Sequence, residues 1–424
     1  MILTVGGVFM KKRTSVVLLA MTTVACLFMI GCGDDDDCIN EPNQCEEADR
    51  DGSINIDMEP DIIHASWQIT GPDGYLAAGI GDLSLTDLFP GNYSLSLGDV
   101  PSYDPPNPSI FTQYLGAGET ITFAAQFDYS GPARWVPVLI PPSSVSMPAT
   151  FTMGDLVETN ETPHQVTLTG RFEMAATEVS NAQVIMALQW AYDTGLVTVM
   201  DDGLVFDTLD GSHERLFNLS GDPNFLTFND GIFSSQEPDH PVLGVTWFGA
   251  AAYCDWLSLM SDLPRAYDHS TWQCNNGNPY ASSSYRLPTE AEWELACRGG
   301  TTGPFNTGDC IDSFLDANFI GSIPYLDCPT TSVHGHLTDV GSLNASGWGL
   351  YDMHGNVWEW CNDWYGLFSG DETNPVGEDI SEERVLRGGG RDDVPTDCRS
   401  ARRENDLPMY SGFYRGFRPV KSVD

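Results

Sequence analysis

The sequence predicts a small all-β unit followed by a larger domain that combines helices and strands with much irregular backbone. Between positions 53 and 129, short runs of alternating apolar and polar residues are separated by turns rich in Gly, Pro and Asp. Beyond position 147, apolar residues follow helical spacing in a few segments, and Gly-rich loops join them. The segment 349–360, GLYDMHGNVWEW, fits neither period although it contains two Trp and one Tyr. These patterns predict a domain of mixed class behind an all-β unit.

The aromatic side chains of segment 349–360 must be buried next to Gly and Asp in irregular backbone. Such a chain is held by side-chain or ion contacts, because it lacks the regular hydrogen bonds of a helix or sheet. Carbonyl and carboxylate oxygens are the ligands that calcium prefers. The residues therefore favour either a calcium-binding loop or a tightly packed aromatic loop without a ligand.

The all-β unit is predicted from strict alternation in short runs. These runs are 53–58, 67–70, 93–97 and 120–127, with turn signals between them. Strands of this length and spacing are typical of a small β-sandwich. The segment 88–95, LFPGNYSL, resembles the PEGA and carboxypeptidase-regulatory-like sandwiches of bacterial surface proteins. Because no titratable side chains cluster there, we interpret this unit as a spacer or binding module.

Three helices are predicted in the larger domain. Apolar spacing places two of them at 179–192 and 247–260. A third begins after Thr289, whose side chain caps the helix, while Glu292 three residues later completes a capping box. The acids Glu290, Glu292 and Glu294 also suit the positive end of the helix dipole. We therefore assign these acids a structural role in preference to a catalytic one.

Length and composition limit the classes of protein that this chain can belong to. Its 424 residues and 41% hydrophobic content suit about two or three domains with a substantial core. The formal net charge is −41, because 60 acidic residues face 19 basic ones. Such a charge repels phosphate, which excludes nucleic acid as a partner and favours a solvated acidic surface.

The N-terminus has the pattern of an export signal. A basic triplet at 11–13 precedes the uncharged run 16–31, which is shorter than the roughly 20 residues of a membrane span. Residues 29–32, MIGC, resemble a bacterial lipobox with Cys32 as the lipidated residue. Gly33 follows instead of Asp, so retention at the inner membrane is not signalled. We predict an exported protein bound to a membrane through its lipid anchor, at the outer membrane or cell surface.

Five segments follow from these patterns. A signal peptide occupies 1–32, an acidic tether 33–52 and the β-sandwich 53–129. A Pro-rich linker at 130–146 leads to the larger domain at 147–424. The tether opens with four consecutive Asp residues, whose charge and polarity predict a solvated segment.

Nine further cysteines follow Cys32, and an exported chain lies where disulfides persist. Short separation favours local bridges between Cys38 and Cys45 and between Cys310 and Cys328. Sequence does not fix the connectivity. Because nine is an odd number, at least one thiol is free or paired between molecules.

The larger domain carries a series of short motifs whose order is informative. They are 151–154 (FTMG), 161–166 (ETPHQV), 178–181 (EVSN), 241–247 (PVLGVTW), 252–257 (AYCDWL), 285–294 (YRLPTEAEWE), 349–360, 384–389 (RVLRGG) and 416–418 (GFR). This series resembles the formylglycine-generating enzyme family, also called the sulfatase-modifying factor family. The resemblance implies an α+β fold, a large C-type-lectin-like variant with little regular secondary structure.

The resemblance also implies a chemistry that can be tested against the residues. Enzymes of the family oxidise a cysteine of unfolded sulfatases to formylglycine, with molecular oxygen and copper held by two cysteines. Soft thiolates select Cu(I), so the cysteine pair is essential. In the matching stretch 388–403, the first cysteine's place falls at about Asp393 and the second near Val394 or Pro395. We therefore expect copper and the oxidase chemistry to be absent.

Cys398 is the remaining candidate for a reactive thiol, and a disulfide is the alternative. It lies too close to the following arginine motif to match the second copper cysteine. Cys254 and Cys297 lie where family members have cysteines, but Ser400 and Pro419 replace two expected partners. A bridge from Cys254 to Cys297, or from Cys297 to Cys398, would be new connectivity.

The calcium inference gains from the resemblance. Family enzymes bind calcium at the 349–360 motif through a side chain, two backbone carbonyls and a Glu. The matching positions are Asp352, Gly355, Val357 and Glu359. A second family site would use Asn318 and the Phe319 carbonyl, but its Asp partner has no match between 331 and 335. We expect one calcium ion.

Two functions are consistent with the sequence. The first is a surface-anchored, non-catalytic binding or accessory protein with a protein or peptide ligand. Its groove would be lined by segments 391–397 and 406–414, the latter rich in aromatic residues that either bind a partner or pack into the core. The alternative is a sulfatase-modifying oxidase that converts a substrate cysteine to formylglycine.

Overall fold

The structure is a computed structural model that describes residues 52–59, 66–80, 82–98, 103–104, 106, 108, 110–126, 128–129, 136–220 and 226–423. The predicted signal peptide with Cys32, nearly all of the acidic tether, and the predicted Cys38–Cys45 bridge lie outside these residues. None of the helices in the described part of the chain is long and apolar enough to cross a membrane.

The first part of the chain forms short strands, as predicted. They are β1 (Gly52–Glu59), β2 (Ser66–Thr70), β3 (Leu76–Ile80), β4 (Leu83–Leu88), β5 (Gly91–Leu97), β6 (Tyr103–Asp104), β7 (Ile110–Leu115), β8 (Thr120–Gln126) and β9 (Asp128–Tyr129). One sheet has the order β4-β1-β8 and another the order β3-β2-β5-β7. β1 pairs with β4 antiparallel and with β8 parallel.

Both sheets contribute to one hydrophobic cluster. In β1, Ile54, Ile56 and Met58 are buried while the intervening side chains are more exposed, which is the period of two expected of a strand. They pack in the same cluster as Trp67 of β2 and Tyr93 of β5. The predicted strands are therefore confirmed, and the assignment to a PEGA-like sandwich stays a prediction.

The larger domain contains the three predicted helices and short strands. The helices are α1 (Asn181–Asp193), α2 (Trp247–Met260) and α3 (Glu290–Arg298). The strands are β10 (Pro137–Ile140), β11 (Ala149–Met153), β12 (His164–Leu168), β13 (Arg171–Ala175), β14 (Val197–Val199), β15 (Leu204–Asp207), β16 (Arg215–Asn218), β17 (Thr227–Asn229), β18 (Ile232–Ser234), β19 (Tyr267–Asp268), β20 (Gln273–Cys274), β21 (Tyr285–Arg286), β22 (Trp358–Trp364), β23 (Glu372–Thr373), β24 (Arg384–Arg387), β25 (Arg403–Asp406), β26 (Arg415–Gly416) and β27 (Val420–Val423).

The helix starts follow from local capping chemistry. Thr289 Oγ1 accepts a hydrogen bond from the Glu292 backbone, and the Glu292 carboxylate accepts one from the Thr289 backbone, so the predicted capping box is present. The first helix begins at Asn181 instead of 179, because Ser180 is its cap and Gln183 completes a second capping box. Val179 is held outside the helix by backbone hydrogen bonds to Phe417 and Val242.

Strand β22 organises the centre of the domain. It lies in the sheet of order β25-β24-β22-β26, and its first six residues are buried. Trp360 packs in the cluster that contains α1 and α2, whereas its neighbour Cys361 packs in the cluster that contains α3. Because successive side chains of a strand point to opposite faces, β22 is covered on both sides.

The Pro-rich segment is only partly a linker. Its residues 137–140 form β10, which pairs along its whole length with β13. Ile140 is fully buried in the core of the larger domain. The sheet of this domain therefore begins at residue 137, ten residues before the predicted domain start at 147, because all four residues of β10 pair with β13.

Candidate functional site

The 349–360 motif has irregular backbone up to Trp358, where β22 begins. Asp352, Gly355 and Asn356 all have positive φ angles, of 58°, 93° and 62°. A Cβ atom on Gly355 would lie 2.1 Å from the Asn318 carbonyl oxygen, so the close approach of these two segments requires glycine. The motif is thus a loop held by specific contacts.

An arginine from the end of the chain holds the last candidate calcium ligand of the motif. Arg418 donates to both carboxylate oxygens of Glu359 at 2.6–3.0 Å, and the Trp293 indole donates to Glu359 Oε2 at 2.8 Å. Both oxygens of Glu359 are therefore engaged. All three side chains are buried.

Asp352 lies next to this pair with one oxygen unused. Its Oδ2 accepts a hydrogen bond from the Gly341 backbone at 2.7 Å, while Oδ1 is buried without a hydrogen-bond partner. Burial raises the pKa of Asp352 to about 6. A buried oxygen with unmet bonding capacity is the kind of donor that a hard cation satisfies.

A third carboxyl group, Glu178, completes the cluster. It accepts from the Asn356 side chain at 2.7 Å and from the Val357 backbone at 3.1 Å. Burial raises its pKa well above the ordinary value, and the charges of Asp352 and Glu359 raise it further. Sequence reasoning assigned no role to Glu178, because it lies 174 positions before Asp352 and no local pattern links the two.

These residues fit a calcium ion in part. Asp352 supplies a free oxygen, and three acids share one arginine, so a cation there would lower their mutual repulsion. Glu359 fits less well because Arg418 and Trp293 already occupy its oxygens. Within the described residues, no three His, Cys, Asp or Glu side chains converge as a ready-made metal centre.

Asn318, the candidate ligand of a second calcium ion, forms hydrogen bonds that hold the 349–360 motif in place. Its side-chain amide donates to the His336 carbonyl and to Asn356 Oδ1, both at 3.0 Å. Its backbone carbonyl accepts from the Asn356 backbone at 2.8 Å. These hydrogen bonds join Asn318 to the 349–360 motif, and the second calcium site at Asn318 stays a prediction.

A carboxylate, that of Asp393, lies in the segment where the family resemblance places the copper cysteines. Asp393 accepts from the Trp358 indole at 2.7 Å and from the Gly390 backbone at 2.9 Å. Pro395 starts a short 3-10 turn that ends at Cys398. Gly389 has φ 77°, and a Cβ there would lie 2.5 Å from the Cys398 sulfur.

Cys398 is buried in an apolar cluster with Phe305 and Phe319. Burial raises the pKa of its thiol well above the ordinary value. Because the thiolate is the reactive form, this environment disfavours nucleophilic or metal-binding chemistry.

The cysteine pairing differs in part from the sequence-based expectation. Cys254, Cys297 and Cys398 are all unpaired, so neither of the two new bridges considered for Cys297 forms. The Cys297 sulfur instead lies 3.7 Å from His354 Nε2 and 3.6 Å from Ser400 Oγ. The predicted local bridge between Cys310 and Cys328 is present.

The acids of α3 are matched by buried arginines. Arg286 binds Glu292 with two hydrogen bonds of 2.7 and 2.8 Å. Glu290 pairs with both Arg387 and Arg403. Burial alone would raise the pKa of Glu290, but the charges of Arg403 and Arg387 outweigh it and lower the pKa below its ordinary value. The structural role predicted for these acids agrees with this pairing.

A second matched cluster surrounds His269. Its Nδ1 lies 2.7 Å from Asp207 and its Nε2 3.1 Å from Asp255, and the ring stacks on Trp272. Burial opposes a charge on the ring, but the bonds to Asp207 and Asp255 outweigh it and raise the pKa of His269 to about 9. This histidine is therefore an imidazolium at neutral pH.

Comparison with known proteins assigns the larger domain. The sulfatase-modifying factor enzyme 1-like domain matches residues 136–423. The chain belongs to the sulfatase-modifying factor family. Its start at residue 136 agrees with the position of β10.

Relatives of the sulfatase-modifying factor domain include proteins with different names. The formylglycine-generating enzyme of Bos taurus is 30% identical over 317 residues, which are 68% of this chain and 75% of that protein. The serine/threonine-protein kinase pkn1 of Chlamydia caviae is 37% identical over 190 residues, or 43% of this chain. The chain spans only 24% of that kinase's length. Among solved structures, Treponema denticola variable protein 1 is similar with a TM-score of 0.48 and 22% identity, over 68% of this chain and 95% of that one.

Proposed function

We propose that this protein is a non-catalytic binding or accessory lipoprotein that presents a sulfatase-modifying factor domain on a C-type-lectin-like scaffold. The observation that carries the proposal is that a hydrogen-bonded carboxylate, not a cysteine, occupies the segment after Gly389. Asp393 stands at the place of the first copper cysteine and is fixed by the Trp358 indole and the Gly390 backbone. A carboxylate at this place lacks the soft sulfur that Cu(I) requires.

The isolation of Cys398 supports the same proposal. Two sulfurs must face one another to hold Cu(I) in the family's manner. Cys398 is unpaired and packs against phenylalanine side chains, with its thiol held protonated by burial. The formylglycine-generating oxidase is the alternative, favoured by the 30% identity with the bovine enzyme.

Two loop segments are suited to form the binding surface. Trp358 donates its backbone N–H to the Tyr414 carbonyl at 2.8 Å and its indole N–H to Asp393, so both predicted groove segments meet at this residue. Met409, Tyr410 and Phe413 are 43–53% exposed. Aromatic and Met side chains exposed together are enriched at protein interfaces. We assign this surface to a protein or peptide ligand.

Calcium is proposed as a structural ligand of the domain. Asp352, with its free Oδ1, would hold one ion together with the Gly355 and Val357 carbonyls and Glu359, as the family resemblance implies. The ion would supply positive charge to a buried cluster that is otherwise too acidic.

The remaining parts of the proposal concern location. The anchor would be a lipid on Cys32, at the outer membrane or cell surface, with the β-unit acting as a spacer. Metabolic labelling with a radioactive fatty acid tests the anchor, because Cys32→Ser should abolish incorporation.

Copper binding and peptide oxidation decide between the two functions. The purified full chain is titrated with Cu(I) against a chromogenic chelator and incubated in air with a sulfatase-derived cysteine peptide, beside the bovine enzyme. We expect no stoichiometric copper binding and no loss of the peptide thiol. Stoichiometric Cu(I) binding that disappears in Cys398→Ser, together with oxygen-dependent thiol loss, would refute the non-catalytic role.

A further inference from the structure

A cleft between α3 and the loop that follows β22 has a polar base. Its volume is about 180 Å³, well above what a single water molecule needs. Asp363 and Glu290 lie on its wall together with the apolar side chains of Met153, Leu367 and Phe368. Asp393, Val394 and Pro395, which stand at the places of the copper cysteines, do not line the cleft.

Two nearly buried polar side chains on this wall have an atom without a partner among the described residues. Asp363 is 3% exposed, and its Oδ2 accepts from the Glu290 backbone at 2.9 Å while Oδ1 has no hydrogen bond. His164 is 9% exposed, and its Nδ1 lies 3.0 Å from the Thr162 carbonyl. Because Nδ1 must donate to that carbonyl, Nε2 is left without a partner on a ring that lines the cleft.

The charges around the cleft favour a cation. Glu290 is neutralised by Arg387 and Arg403. Asp363, Glu372 and Glu378 also line the cleft, and none of the three forms an ion pair within the described part of the chain. Burial, followed by the charge of Glu290, raises the pKa of Asp363 well above its ordinary value, and the opposing charge of Arg384 does not cancel the rise. A positive ligand would therefore favour the charged form of this carboxyl group.

The side chains that line the cleft favour one class of cation over the others. No three His, Cys, Asp or Glu side chains converge on one point in the described residues, either here or at Asp352, so a metal ion is kept as an outcome of the test below. A guanidinium would stack on an aromatic face, but Arg403 already covers Phe368 at 3.9 Å and Arg384 covers Trp364 at 3.4 Å. A compact ammonium group needs no such face, and an alkyl stem suits Met153 and Leu367.

We infer that this cleft binds a primary alkylammonium group, with Asp363 and His164 as its deep acceptors and Glu372 and Glu378 at its mouth. The group would belong either to a small free amine or to a lysine side chain of a polypeptide. This site is independent of the proposed surface at Tyr410 and of the calcium cluster.

Calorimetric titration of the full chain tests the inference. The probes are n-butylammonium chloride as the free amine and acetyl-Gly-Lys-Gly-amide as the lysine side chain, with acetyl-Gly-Arg-Gly-amide for comparison. We expect saturable one-site binding of at least one of the first two, and weaker binding of the arginine peptide. The stronger of the two ammonium probes identifies the source of the ligand.

Variants connect the binding to the named residues. Asp363→Asn keeps an acceptor for the Glu290 backbone and should weaken ammonium binding about tenfold, which corresponds to about 1.4 kcal/mol. Glu378→Gln should weaken it by a smaller factor, whereas Glu382→Gln, an exposed acid outside the cleft, should leave it unchanged.

Three results would overturn the inference. One is the absence of saturable binding of both ammonium probes. Another is an affinity of Asp363→Asn for the ammonium probes equal to that of the wild type, in a variant whose thermal unfolding also matches the wild type. The third is displacement of butylammonium by equimolar calcium in the wild-type chain, which would make the cleft a metal site.

Discussion

Two clusters of buried carboxylates in the larger domain differ in how their charge is balanced. On α3, Glu290, Glu292 and Glu294 face the arginines 286, 298, 387 and 403. At the 349–360 motif, Glu178, Asp352 and Glu359 share Arg418. The pKa of Glu290 is lowered, whereas the pKa values of Asp352 and Glu178 are raised.

The difference distinguishes acids that stabilise the fold from acids that are suited to bind a ligand. On α3 the arginines balance the charge of the buried acids, so these acids need no added cation, although Arg286 Nε and Arg387 Nε have no hydrogen-bond partner. The cluster at Asp352 has excess negative charge and one buried oxygen without a partner, two features that an added cation would offset. Burial of acids is common to both clusters, and the number of arginines distinguishes them.

The largest expected effect comes from unbalancing the α3 cluster. Arg286→Ala leaves the buried Glu292 carboxylate without its bidentate partner and should lower the free energy of unfolding by about 3–5 kcal/mol. Denaturant unfolding measures this loss. Arg391→Ala, which removes a partly exposed pair with Asp392, is the control and should change stability by at most about 1 kcal/mol. A similar small change for both variants would contradict the balance argument.

An intermediate effect is expected from the matched cluster at His269. Its folded pKa of about 9 lies above the unfolded value of 6.5, so its stabilisation is complete below pH 6.5 and is lost as the pH rises through 9. A shift of this size corresponds to about 3 kcal/mol. Unfolding measured between pH 6 and 10 should show this loss, and His269→Gln should flatten that part of the curve. An unchanged slope in the variant would assign the titration to another group.

The smallest effect is expected from supplying the missing charge at Asp352. Calcium at 100 times its dissociation constant should stabilise the folded chain by about 2.7 kcal/mol, and chelation should reverse the gain. Thermal unfolding with and without calcium measures it. Asp352→Asn should lose the calcium response, while Asp393→Asn outside the cluster should keep it. Calcium-independent melting of the wild-type chain would count against the site.

Local patterns predicted local structure well. Helix α2 has the predicted bounds, and the Thr289–Glu292 capping box is present, because both depend on residues within one or two turns. The strands of the all-β unit follow from alternation for the same reason. The start of β10 was missed because Pro137 resembles a linker residue, although an edge strand tolerates proline.

Contacts between residues far apart in the chain could not be predicted from the sequence. The meeting of Glu178 with Asn356 and Val357, and the place of Arg418 beside Glu359, depend on chain crossings of more than 50 residues. The state of Cys297 also depended on distance, because His354 and Ser400 surround its sulfur in place of a second cysteine. The acids that line the cleft proposed to bind an amine lie on α3, β22, β23 and the segment after β23, so no single local pattern indicated that cleft.

The parallel pairing of β1 with β8 determines how the N-terminal unit responds to mechanical load. Seven residue pairs, from Ser53 with Thr120 to Glu59 with Gln126, join the first and last long strands of that unit. Since the strands run in the same direction, the chain enters at one end of this ladder and leaves at the other, roughly 20 Å away at about 3.3 Å per residue. A pull on the two ends therefore shears all seven pairs together, which resists force far better than opening them one after another.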